Sequence, residues 1–189
     1  MRKKRQSAFT LVEVVIAMLV FTLVMGAAML IYQHSLQSWS RTDSATTVQE
    51  SLRLALDRMT RELRTATSIE KATVENGKTI ISFQTYISEN NQLKLKTITY
   101  HHDPVSQQIY RAVGTGSPNP LADNIAVLDL YYYDTAQSLL GKNNVSTRDL
   151  NKINLIRITI QGERGRRGQL NYTGPLSLSS SVALRASSR

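Results

Sequence analysis

An apolar run near the N-terminus, residues 9–32, is the feature that most constrains how this chain can fold. It has no proline, one glycine, and Glu13 as its only charged residue. A helix of this length rises about 36 Å, which is enough to cross the hydrocarbon core of a bilayer with some tilt. A secretory signal peptide has a shorter apolar core, about 7–15 residues, followed by a small-residue cleavage site. The run therefore predicts a membrane-spanning helix.

The charge around this run predicts its orientation. Four basic residues precede it, at positions 2–5, whereas the segment that follows it is nearly neutral. The positive-inside rule places the N-terminus in the cytoplasm and the remainder of the chain across the membrane. The net charge of +9 falls to +5 without these four residues, and such a moderately basic surface does not by itself indicate nucleic-acid binding.

Glu13 is out of place in an apolar segment. A carboxylate near the centre of a membrane helix costs about 2.5–3.5 kcal/mol on insertion scales, so such residues usually have a function. The stretch around it, KKRQSAFTLVEV, has a basic leader, a small residue, phenylalanine, Thr-Leu, an apolar residue and glutamate. This pattern resembles the class III signal of type IV pilins and pseudopilins.

The resemblance implies two processing steps at the start of the chain. A prepilin peptidase on the cytoplasmic face would cleave between Ala8 and Phe9, and the new Phe9 amine would be methylated. The chain departs from the family pattern at one position, since Ala8 stands where glycine is usual. Alanine has the next smallest side chain, so we expect processing at this bond.

The resemblance also implies a role for Glu13 in filament assembly. The carboxylate of Glu13 in one subunit would pair with the Phe9 amine of a neighbouring subunit. Either charge left unpaired in an apolar bundle costs several kcal/mol, so the pair would fix the axial register between subunits. The alternative is a glutamate near the membrane interface that has no partner.

A second, amphipathic helical segment follows the apolar run, over residues 33–67. It contains no proline or glycine, and its apolar residues recur three or four positions apart, at Val48, Leu52, Leu56, Met59 and Leu63. This spacing places them on one face of a helix. We therefore predict one helix over residues 9–67, apolar all round in its first part and amphipathic in its second.

The rest of the chain, residues 68–189, predicts a β-rich globular head. β-Branched and aromatic runs alternate with turn signals such as Asn76-Gly77. A bulge or a two-sided strand is expected near Ile156, and residues 135–152 are the best candidate for an exposed loop. Strands that follow one long helix predict an α+β fold in which an antiparallel sheet packs on the helix stripe, as in pilins.

The order of these elements resembles the J-type minor pseudopilins of type II secretion and the W-like minor pilins of type IV pili. The resemblance implies a structural subunit without a cofactor, which initiates or caps a filament. Its implied partners are the prepilin peptidase, other minor and major pilins or pseudopilins, and the inner-membrane assembly platform. The chain would be a single-pass protein of the inner (cytoplasmic) membrane, with its head periplasmic or extracellular.

Two polar clusters in the head are candidate binding sites. His101, His102 and Asp103 have metal-ligand chemistry, but adjacent strand residues point to opposite faces, so a strand end before a turn is the preferred interpretation. Tyr131, Tyr132 and Tyr133 are expected at a half-buried strand end rather than in a stacking platform.

A basic stretch is the basis for an alternative function, DNA binding. Arg164, Arg166 and Arg167 are flanked by glycines and could contact phosphate, as in a competence-type pilin whose basic head binds DNA. A solvated hairpin tip is the preferred interpretation, and nucleic acid is not an expected partner. No catalytic triad, phosphate-binding loop or paired acidic motif is present, so no enzymatic activity is predicted.

Overall fold

A computed structural model describes residues 10–89, 92–165 and 172–185, apart from the side chains of residues 37 and 40–44. The chain begins with one long helix, α1 (Leu11–Arg64). Thr10 caps its start, because the Thr10 hydroxyl accepts a hydrogen bond from the Glu13 backbone N–H at 3.3 Å. The predicted continuous helix is confirmed. It ends at Arg64 rather than Thr67, because Thr65 caps it and a strand follows at once.

The first part of α1 has the properties of a membrane span. Leu11–Leu36 is long and apolar enough to cross a bilayer, judged by length and composition. No part of the described head covers the most apolar stretch of this segment, and its large apolar side chains are exposed. Water is therefore an unfavourable surrounding for this half of the helix.

Within the described residues, nine strands follow the helix and form two antiparallel sheets. The first sheet has the order β1-β2-β3-β4-β5. Its strands are β1 (Ala66–Glu75), β2 (Lys78–Glu89), β3 (Gln92–Asp103), β4 (Gln108–Val113) and β5 (Asn119–Ala122). The second has the order β7-β6-β8-β9. Its strands are β6 (Ile125–Tyr133), β7 (Leu139–Lys142), β8 (Leu155–Arg164) and β9 (Thr173–Ala183).

The α+β class predicted from the sequence is therefore confirmed, but the expectation of a single sheet is wrong. The exposed loop expected over residues 135–152 is also wrong in part. It contains β7 and a short 3₁₀ helix, Leu150–Lys152, and the side chains of Val145 and Leu150 are buried. This segment folds over the side of β1, where the Val145 N–H donates to the Ala72 carbonyl at 3.0 Å.

The predicted helix stripe forms one side of the core. Val48, Leu52, Met59 and Leu63 are fully buried, and Leu56 is partly buried at the edge of the same surface. The stripe packs against inward-facing side chains of both sheets, so the helix holds the two sheets around one core. Burial of each such side chain contributes about 1.5–3 kcal/mol.

Strand β8 lies directly over this stripe and alternates regularly. Ile156, Ile158 and Ile160 all face inward, and the register runs without a shift through Ile156, so the bulge expected there is wrong. The pairing with β9 shifts instead between Gly162 and Arg164. Gly162 is required by close packing, since a Cβ at this position would lie 2.8 Å from Val48 Cγ1.

Replacement of Gly162 tests whether this contact sets the distance between helix and sheet. A Cβ at Gly162 would also meet the Asn124 carbonyl oxygen at 2.9 Å, which is backbone and cannot rotate away. We expect Gly162→Ala to destabilise the head by about 1–3 kcal/mol through overpacking. Urea unfolding of the detergent-solubilised chain measures the change. Gly174→Ala is the matched control, because its Cβ would meet only Tyr172 at 3.9 Å, and an equal loss in both variants would contradict the prediction.

Candidate functional site

Glu13 lies in the first turn of α1, on a fully apolar stretch of helix. A shallow apolar recess along the helix surface begins at Glu13 and is completed by Val14, Ala17, Met18 and Phe21. Within residues 10–89, 92–165 and 172–185, no cationic side chain contacts the Glu13 carboxylate. The charge is therefore available to a partner outside the described part of the chain.

The predicted processing residues, Ala8 and Phe9, lie outside the described residues. The structure does show that the helix begins immediately after them, at Leu11, behind the Thr10 cap. Glu13 follows Phe9 by four positions in the sequence. The cleavage and pairing roles of these residues stay predictions.

A polar cluster that was not predicted from the sequence joins the end of α1 to the first sheet. Glu62 Oε2 accepts hydrogen bonds from the Tyr100 hydroxyl at 2.6 Å and from Arg111 Nε at 2.9 Å. Its Oε1 accepts from Arg58 Nε at 3.2 Å. The side chains of Glu62 and Arg111 are only 18% and 19% exposed, so the ion pair is largely shielded from water.

The Tyr100 hydroxyl of this cluster stays protonated over the whole physiological pH range. Burial raises the pKa of Tyr100, and the hydrogen bond to Glu62 raises that pKa further. Tyr100 therefore remains a neutral hydroxyl that donates to the carboxylate. Because Tyr100 lies on β3 and Arg111 on β4, the cluster fixes the angle at which the helix enters the head.

The two adjacent histidines face opposite sides of the first sheet. His102 is buried, and its Nε2–H donates to the Ile125 carbonyl at 2.9 Å, which links β3 to β6. His101 stacks on the ring of Tyr110, with the ring centres 4.8 Å apart. Asp103 forms an ion pair with Lys78 at 2.8 Å. His101, His102 and Asp103 therefore each have a separate local partner.

The structure also shows where Arg164 of the basic stretch and the three consecutive tyrosines lie. Arg164 is the last residue of β8 and is partly buried, while Arg166 and Arg167 lie outside the described residues. Tyr132 is buried in the core. The two flanking tyrosines of the run face the other side of the sheet and lie near cations: Lys142 Nζ is 5.4 Å from the Tyr131 ring centre. Arg157 is at the same distance from the ring of Tyr133.

Comparison with known proteins gives one informative match. Residues 3–29 match the family model of the prokaryotic N-terminal methylation motif. The match covers the basic leader, the predicted cleavage site and the first part of α1. No curated protein matches the chain. Among solved structures, a type IV-like pilin from Thermus thermophilus is similar over 75% of this chain and 98% of its own, with 11% identity and a TM-score of 0.47.

The Glu62 cluster gives a prediction for the stability of the head. Glu62→Gln removes the charge and leaves the shielded Arg111 guanidinium without an anionic partner, so we expect a loss of about 1–3 kcal/mol. Asp57→Asn is the matched control one turn earlier, where the ion pair with Arg61 is exposed and worth at most about 1 kcal/mol. Urea unfolding of both variants measures the difference, and similar losses would contradict a special role for Glu62.

His102 gives a prediction for the dependence of stability on pH. Burial lowers the pKa of His102, and this outweighs the opposing effects of the Ile125 carbonyl and Asp103. The unfolded chain, with a histidine pKa of about 6.5, therefore binds more protons than the folded chain just below that pH. We expect the free energy of unfolding to fall as the pH drops below about 6.5, and this slope to be smaller in His102→Gln.

Urea midpoints measured from about pH 8 to about pH 5 test this, because most carboxylates stay ionised over that range. Asp103 in particular stays ionised, since its hydrogen bond with Lys78 lowers its pKa. Parallel curves for the wild-type chain and His102→Gln would show that His102 is not responsible.

Proposed function

We propose that this chain is a minor pilin or pseudopilin, a structural subunit that initiates or caps a type II secretion pseudopilus or a type IV pilus. The observation that carries this proposal is one uninterrupted helix with two different surroundings. Its first part is apolar, uncovered and marked by Glu13, and its second part is built into a folded head. The match of residues 3–29 to the methylation motif supports the same function.

The uncovered part of the helix requires a partner throughout the life of the subunit. Before assembly the bilayer covers Leu11–Leu36, and in a filament the apolar helices of neighbouring subunits replace the lipid. This exchange keeps the apolar surface out of water in both states. The proposed location is the inner membrane, with the N-terminus in the cytoplasm and the head on the other side.

Glu13 gives the assembly its register. Cleavage after Ala8 creates an ammonium group at Phe9, and methylation preserves its charge. In a bundle of apolar helices, a carboxylate without a cation is strongly penalised, so a subunit is stable only at the height where Glu13 reaches the Phe9 amine of a neighbour. The Glu62 cluster then connects this axial position to the head, because it fixes the helix to β3 and β4.

The proposed partners follow from these surfaces. They are the prepilin peptidase, other minor and major pilins or pseudopilins, and the inner-membrane assembly platform. The role of the chain itself is structural rather than catalytic. It supplies an anchor, a register charge and a head for contacts with other subunits.

Replacement of Glu13 tests the proposal. The chain is produced in cells that contain a prepilin peptidase and the remaining filament subunits. Mass spectrometry then determines the N-terminus, and immunoblotting of sheared filaments measures incorporation. We expect the mature wild-type chain to begin at methylated Phe9. We expect Glu13→Ala to be cleaved and inserted normally but to be largely lost from filaments, because the Phe9 amine loses its partner.

Glu50→Ala is the matched control, since Glu50 is an exposed glutamate of the same helix beyond the apolar segment. It should be incorporated like the wild-type chain. A mature product that retains the first eight residues would overturn the proposed function. Normal incorporation of Glu13→Ala would overturn the pairing role alone.

A further inference from the structure

The side of α1 that faces away from the core carries a row of charges. Glu50, Arg53, Asp57 and Arg61 recur three or four positions apart, so they lie along one face of the helix. All four are exposed, and we call this row the ridge. Met59, which is fully buried, lies about 200° around the helix from Asp57. The ridge therefore points away from both sheets.

The ridge is open to another molecule. The side chains of Asp57 and Arg61 are 66% and 75% exposed, and the ion pair between them lies at the surface. Ser180 of β9 borders a shallow recess beside Arg53 and Asp57 but does not cover the ridge. Within the part of the chain that the structure describes, Glu50 and Arg53 form no ion pair. Charge on the ridge is therefore left for contacts with a partner.

The ridge lies on the same side of α1 as the apolar recess next to Glu13. Ten turns of an α-helix contain about 36 residues, and α1 has no break between the two regions. Adding 36 to the recess positions 14, 17 and 21 gives the ridge positions 50, 53 and 57. One face of α1 therefore carries apolar surface in the membrane segment and alternating charge beside the head.

The order of charges on the ridge restricts how two parallel copies can face each other. Two copies anchored in one membrane have parallel α1 helices, which is the step that rests on the proposed function. With no stagger, Arg53, Asp57 and Arg61 of one copy lie level with the same residues of the other, so like charges are opposed. A stagger of seven positions places Asp57 level with Glu50, which again opposes like charges. Both arrangements are unfavourable.

A stagger of four positions removes this conflict. Asp57 of one copy then lies level with Arg53 of the other, and Arg61 lies level with Asp57, so opposite charges meet. The same stagger brings Glu13 of the first copy level with Phe9 of the second, as the proposed pairing with the Phe9 amine requires. The ridge and the membrane segment therefore favour the same stagger for separate reasons.

We propose that a second copy of this chain packs in parallel on this face of α1, displaced along the helix by four residues, and that the ridge sets the displacement. Four residues correspond to about 6 Å along the helix. Exposed ion pairs contribute little to stability, so the ridge selects the stagger rather than holding the copies together. Packing of the uncovered apolar segments supplies most of the attraction. Because the buried stripes point away from the contact, the two heads lie on opposite sides of the pair.

The stagger also makes the two copies unequal. Only one contact between Glu13 and a Phe9 amine forms within the pair, because the copies are displaced in one direction. The Phe9 amine of the first copy and Glu13 of the second are left for other subunits. The pair is therefore a starting point that further subunits can extend at both ends.

Cysteine cross-linking in the membrane segment measures the stagger, because the natural chain has no cysteine. Full-length chains carrying Ala17→Cys or Phe21→Cys are produced together in membranes, with tags of different size, and are oxidised. At a stagger of four, Phe21 of one copy lies level with Ala17 of the other, so we expect the mixed dimer to exceed either homodimer several-fold. Dimers in the statistical proportion, an excess of either homodimer, or no dimer would each overturn the proposal.

Inversion of the ridge tests whether its charges set the stagger. The triple variant Arg53→Glu, Asp57→Arg, Arg61→Glu reverses every sign but keeps opposite charges at positions 57 and 61. Two inverted copies should therefore behave like two wild-type copies. A wild-type copy facing an inverted one has opposite charges level at zero stagger and like charges level at a stagger of four. Between these two chains we expect the cross-link from Ala17→Cys to Ala17→Cys to rise several-fold and the mixed cross-link to fall.

Charge inversion elsewhere on the head gives the matched control. Lys71 and Glu75 form an exposed ion pair on β1 rather than on α1. Lys71→Glu with Glu75→Lys, present in one of the two copies, should leave the cross-links unchanged. An equal shift with this control, or no shift with the inverted ridge, would show that the ridge does not set the stagger, and the proposal would fail.

The same samples separate this proposal from the proposed function. The mass of the N-terminus is measured beside the cross-links. Staggered pairs formed by chains that keep their first eight residues would contradict only the proposed function. Processed chains that enter filaments but cross-link without a stagger would contradict only the packing of a second copy on this face of α1.

Discussion

The two parts of one helix require different surroundings, and the rest of the structure depends on this difference. α1 runs without interruption from Leu11 to Arg64, so the apolar segment and the core of the head share one continuous helix. The first part needs lipid or other apolar helices around it, whereas the second presents only a stripe, led by Val48 and Leu52, to the sheets.

The end of this helix is held by polar as well as apolar contacts. Hydrophobic packing is non-directional and would allow the helix to slide or rotate against the sheets. The Glu62 carboxylate bonds Tyr100 and Arg111 at fixed distances, and these come from two different strands. A shielded, charge-assisted cluster of this kind has a defined geometry. It explains how the axial position of an anchor can determine the position of a head surface.

The edge strands of the two sheets differ in how well they are protected from pairing with other chains. Short strands, Pro120, Lys142 and the segment around Val145 protect three edges, while β9 remains long and uncharged. At the far end of α1, residues 86–89 of β2 and 92–96 of β3 extend beyond β1 and β4, with Leu93 and Leu95 exposed. Both features leave backbone groups or apolar surface in water. Both features are consistent with a protein whose functional state is an assembly.

The sequence by itself determined the elements whose causes are local. The apolar run predicted the span, the spacing from Val48 to Leu63 predicted the buried helix face, and Asn76-Gly77 predicted a tight turn, at which both residues have positive φ. Only the tertiary structure decided the division into two sheets, the presence of β1 and β7, and the pairing of Glu62 with Arg111, which lie 49 positions apart. Periodicity reports which face of an element is apolar, but not which distant strand or charge meets that face. Those choices depend on packing of the whole chain, and no short stretch of sequence contains them.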